Sequence, residues 1–91
     1  MLKTKINAML IDEDLSKMEK LVLIYFAMNA DDNNNLKIMQ SDISKELSMS
    51  RATIVTAIKG LSEKKLIKYK HSGTGGCNMT YIYTINLNKY N

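Results

Sequence analysis

The chain predicts a single α+β domain in which three helices precede an antiparallel hairpin. Apolar residues recur at helical spacing between Ser16 and Lys64, and from Leu66 the period changes to two. A glycine-rich segment, Ser72-Gly73-Thr74-Gly75-Gly76, then separates two alternating stretches. Ninety-one residues support one modest core over residues 1–91 and are too few for two.

The elements follow in order. Residues 5–11, KINAMLI, are apolar enough for a short strand or an extended arm. Asp12, Glu13 and Asp14 come next, and their acids favour the positive end of the helix that follows. Ser16 and Glu19 have the S-x-x-E spacing of a capping box, which starts that helix near Ser16. Leu21, Ile24, Tyr25 and Met28 form its apolar stripe, thickened by Val22, Leu23 and Phe26, so it is expected to be the central pillar of the core. DDNNN at 31–35 is a turn cluster, and LKIM at 36–39 is a brief strand candidate.

Ser41 is the expected N-cap of a second helix, whose Ile43 and Leu47 lie one turn apart. Leu47-Ser48-Met49-Ser50 makes a tight turn, plugged by Met49, and Ser50 caps a third helix from Arg51 to about Lys64. Ile54, Ile58 and Leu61 share that helix's inner face. Its outer face carries Ala52, Thr53, Thr56, Lys59, Gly60 and Glu63, small and polar enough for close approach to a groove. In the first strand of the hairpin Ile67 and Tyr69 alternate with Lys68 and Lys70. Tyr81, Tyr83, Ile85 and Leu87 alternate with Ile82, Thr84 and Asn86 in the return strand. Tyr81 and Tyr83 therefore read as sheet core rather than as a stacking platform.

Charge is unevenly placed. The net charge is +4, yet residues 51–71 hold six basic side chains against one acid, Glu63. Such a local field points to a polyanion. The single cysteine, Cys77, excludes an intramolecular disulfide and fits a reducing cytoplasm. No apolar run approaches the roughly 20 residues that cross a bilayer, so no membrane role is expected. His71 and Cys77 lack zinc-ligand spacing, there is no phosphate-binding G-x-x-x-x-G-K-[ST] loop, and no nucleophile, base and orienter can be assembled. Neither an enzyme nor a cofactor is expected.

With these pieces in place the sequence resembles the winged helix-turn-helix domains of bacterial plasmid and phage replication proteins. LSKMEKLVLIYFAMNAD looks like that family's first helix, ISKELSMSRATIVTAIKGLSEKKLIKY like its core signature, and TYIYTI like its closing wing strand. The resemblance covers about residues 15–86 and implies three helices with a two- to three-stranded antiparallel wing. It also implies double-stranded DNA as partner, with roles in transcription regulation, DNA replication, partition or conjugation. Replication initiators of this type continue into further domains, whereas this sequence ends at Asn91, which suits an accessory factor working with a larger replication, partition or transfer protein. No long dimerisation helix follows Tyr83, so a homodimer would use the N-terminal arm, the helix from Ser16 or adjacent DNA sites. A non-catalytic protein-interaction module on the same fold is the alternative.

The candidate DNA contacts follow. Arg51 stands where the resemblance implies a phosphate or base contact. Thr53, Thr56 and Lys59 lie on the outer helix face. Ser41 and Ser50 are expected caps whose helix ends can also offer N–H groups to phosphate. Lys64, Lys65, Lys68, Lys70 and His71 adjoin the wing tip, which includes Thr74. The alternative for each is an ordinary solvated or ion-paired surface side chain.

Overall fold

The capping box sets where the first long helix begins. Ser16 Oγ accepts from the Glu19 amide at 3.2 Å, and Glu19 Oε1 accepts from the Ser16 amide at 2.9 Å. Around this start the computed structural model describes residues 2–72 and 80–90. The order is α1 (Leu2–Leu10), α2 (Lys17–Asn29), β1 (Asn35–Met39), α3 (Gln40–Leu47), α4 (Arg51–Glu63), β2 (Ile67–Ser72), β3 (Thr80–Ile85) and a 3-10 turn, Asn88–Tyr90.

Three expectations are corrected. The segment at 5–11 is helical through Leu10, within α1, not extended. Lys, Ala, Met and Leu are good helix formers, and the helix brings Ala8 and fully buried Met9 onto the core. The buried face of α2 is Glu19, Val22, Leu23 and Phe26, while Leu21 and Met28 are 48% and 64% exposed. An apolar surplus on this helix left its orientation ambiguous, and packing against α4 and α1 decided it. Asp12 and Asp14 bind the other end of the chain rather than only facing a helix dipole. Asp12 accepts from Lys89 Nζ at 2.8 Å and from the Tyr90 hydroxyl at 2.7 Å, and Lys89 lies 3.3 Å from Asp14. The Lys89 ammonium holds the Asp12 carboxyl down at about 2, against the upward push of burial.

The turn at 31–35 forms as expected: Asp31 Oδ1 accepts from the amides of Asn33 and Asn35, and Asn34 takes a left-handed φ of 63°. LKIM is indeed strand, within β1. It pairs antiparallel with β3 from Asn35↔Thr84 to Met39↔Thr80. β2 pairs on the other side of β3 from Ile67↔Ile85 to Ser72↔Thr80, giving the order β1-β3-β2. Helices cover one face of this sheet. Tyr83 is fully buried there, with its ring centroid 4.7 Å from that of Phe26. Ile54, Ile58, Leu61, Ile67 and Ile85 complete the contact between α4 and the sheet.

Candidate nucleic-acid interface

The site is built around α4. Ser50 caps it, its Oγ accepting from the Thr53 amide at 3.1 Å. Before it, α3 ends on Ser48 in a left-handed conformation, and the Ser44 hydroxyl donates to the Met49 carbonyl. Half-buried Met49 fills the turn as expected. With Ile54, Ala57, Ile58 and Leu61 buried, the opposite side presents Arg51, Ala52, Thr56, Lys59 and Glu63 to solvent. That face forms one wall of an open groove of about 730 Å³, whose other wall is Ser16, Met18 and Glu19 at the start of α2.

Some expected site residues are placed differently. Ser41 does not cap α3: the helix starts at Gln40, with Met39 in the cap position and no side-chain cap bond. β1 runs straight into α3, so no loop residue is left to cap it, and Ser41 is an exposed residue of the first turn. Thr53 is half-buried and shares a 2.8 Å hydroxyl contact with Ser50. Gly60 turns toward α2, where a Cβ would overlap Glu19 Oε2 and lie 3.1 Å from its Cδ. Lys64 is committed to the fold, 2.7 Å from Glu19 Oε1 and donating to the Asp14 carbonyl. Burial pushes the Glu19 carboxyl up, but Lys64 and the Ser16 donors outweigh it and leave it lowered.

Arg51, Thr56, Lys59, Lys65, Lys68 and Lys70 are all exposed. Lys65 follows α4 with φ 63°, and its amide and that of Leu66 bond back to Ser62 and Leu61. These bonds make a Schellman motif that turns the chain directly into β2. His71 lies in β2, with its side chain outside the described residues, as are Gly73, Thr74, Gly75, Gly76 and Cys77. Sequence reading passed over Lys37. It is exposed on β1, and its position in the register, opposite Ile82, is also that of Lys70 on the other side. Only strand pairing reveals that neighbourhood.

Among the described residues no helix is long and apolar enough to cross a membrane. No curated protein sequence matches the chain significantly. A solved structure described as a "Possible transcriptional regulator from Methanosarcina mazei Go1" superposes with a TM-score of 0.64 at 25% identity. The match covers 92% of this chain and 64% of that protein's chain. A family model described as a helix-turn-helix domain matches residues 13–67, spanning α2, the strand β1, both helices of the motif and the start of β2. With a three-stranded sheet closing behind those helices, the chain belongs to the helix-turn-helix domain family, in its winged form, the architecture of a DNA-binding module.

Proposed function

We propose that this protein binds specific sequences in double-stranded DNA, placing the outward face of α4 in a groove and bracing itself with a basic wing. The observation that carries this reading is the α4 face itself. It is exposed and begins with Arg51 at a capped N-terminus, and Ala52 and Thr56 leave room for close approach. Lys59 on α4, Lys65 just after it, and Lys68 and Lys70 on β2 add exposed charge. The uncapped start of α3, with Ser41 in its first turn, adds amides suited to phosphate.

Within that reading the protein is an accessory or regulatory factor of a plasmid or phage, marking an origin, centromere or transfer site or controlling transcription. The neighbour described as a transcriptional regulator supports the last of these. The wing contributes at least as much affinity as the helix, since the helix offers few cations of its own. A second reading, a protein-interaction module, draws on the exposed Leu21 and Met28 of α2, which also suit self-association.

Selection of bound duplexes from a random pool, followed by a salt titration, tests the proposal. A recovered consensus and an affinity falling by about 0.9 log units per phosphate contact for each log unit of salt support it. No retention of duplex at low salt sinks it. For the wing, binding that survives loss of Lys68 and Lys70 together yet collapses with Arg51→Ala overturns its leading role.

A further inference from the structure

The strand register sorts the sheet into two unlike faces. Ile67, Tyr83 and Ile85 point into the core, and the intervening positions point away from the helices. On that outer face Lys37 and Lys70 flank Ile82 from either side, and Asn35 and Lys68 flank Thr84 in the next row. Lys37, Lys68 and Lys70 are all exposed. No Asp or Glu occurs in any of the three strands. Among the described residues none of these lysines has an ion-pair partner, whereas Lys64 and Lys89 are both neutralised by acids.

No ion pair ties these lysines to the fold among the described residues. Like charges repel, and these lie about 7 Å apart along β2 and about 10 Å apart across β3, from the pleat and strand spacings. Such spacings reach two or three successive phosphates of one DNA strand, which rise about 3.4 Å each. Its described side chains suit charge more than base readout: the Asn35 carbonyl already accepts from the Thr84 hydroxyl at 2.7 Å, and lysines act as point charges.

We propose that the outer face of the sheet is a second DNA-binding surface, in which Lys37, Lys68 and Lys70 hold the phosphate backbone of duplex DNA. This rests on the DNA-binding reading above and changes its geometry. The lysines of β2 act across the whole sheet with a partner from β1, not only at the hairpin tip. Its contribution is independent of sequence.

The test measures binding of the full chain to a mixed-sequence duplex as a function of salt. Lys37→Gln is expected to flatten the log–log salt slope by about 0.9, and the triple change to Gln at Lys37, Lys68 and Lys70 by about 2.7. Lys37→Arg is expected to keep the wild-type slope, which separates charge from any effect on folding. An unchanged slope in Lys37→Gln, while Arg51→Ala still weakens binding, overturns this surface and leaves the α4 reading standing. A wild-type protein that does not bind duplex at low salt overturns both. Loss of single-stranded RNA binding by the triple variant, with duplex binding intact, also overturns it.

Discussion

Gly60 and Glu19 show how much one pair of residues decides. Glu19 is buried, closes the capping box of α2 and receives Lys64, so its carboxylate has little room to move. Gly60→Ala brings a helix-propensity gain of about 1 kcal/mol, but its Cβ meets that pinned carboxylate. Thermal melts are expected to show a net loss of stability in the wild-type background. In Glu19→Ala the same change is expected to become neutral or stabilising, because the obstructing group is gone. Tyr83 is a contrasting case. Its hydroxyl is buried without a hydrogen bond of normal geometry, and burial first of all, opposed by nearby Gln40, raises its pKa to about 12. Tyr83→Phe is therefore expected to leave stability unchanged or raise it by about 1 kcal/mol in denaturant titrations.

At the level of elements, the parts whose signals are local were legible. Ser16 and Glu19 fixed the start of α2, Ser50 fixed that of α4, and the switch of period at Leu66 marked the wing. What escaped depended on partners distant in sequence. Propensity in KINAMLI leans toward helix through Lys, Ala, Met and Leu, but its length and apolar pattern leave the choice open until α2 is there to receive Met9. The same is true of α2, where Leu21 and Val22 are equally apolar and only the position of α4 buries one of them. Gly60 and Lys64 read as members of an outward, DNA-facing surface because the acid that claims them, Glu19, lies more than forty positions earlier. Since α1 is an integral part of the core, Met9→Ala is expected to cost about 3 kcal/mol, measured by urea unfolding. A loss below about 0.5 kcal/mol would mean that α1 is a dispensable arm.

Across the whole molecule, the link between Asp12, Asp14, Lys89 and Tyr90 ties the segment after α1 to the 3-10 turn near the other end of the chain. The Asp12 carboxyl has a folded pKa of about 2 against an ordinary value of 3.8. Its stabilisation is thus complete above pH 4 and is lost as the pH falls toward 2. Asp12 is largely covered while Lys89 is 45% exposed, so screening reduces the contribution to about 1 kcal/mol. Acid titration followed by circular dichroism is expected to show this loss in the wild type and a flatter acid limb in Asp12→Asn.

The turn at Lys65 has a consequence for the DNA. Its two back-bonds leave no slack residue between α4 and β2, and Lys64 anchors the same corner to α2. The end of α4 and the start of β2 are therefore held at one fixed corner. On the proposed DNA-binding reading, a duplex that takes α4 into its groove has to bring its backbone to β2, because the turn holds β2 close to the end of α4. On that reading, where a sequence resists the curvature the elastic cost falls on the nucleic acid, and the protein is expected to discriminate among base steps it never touches.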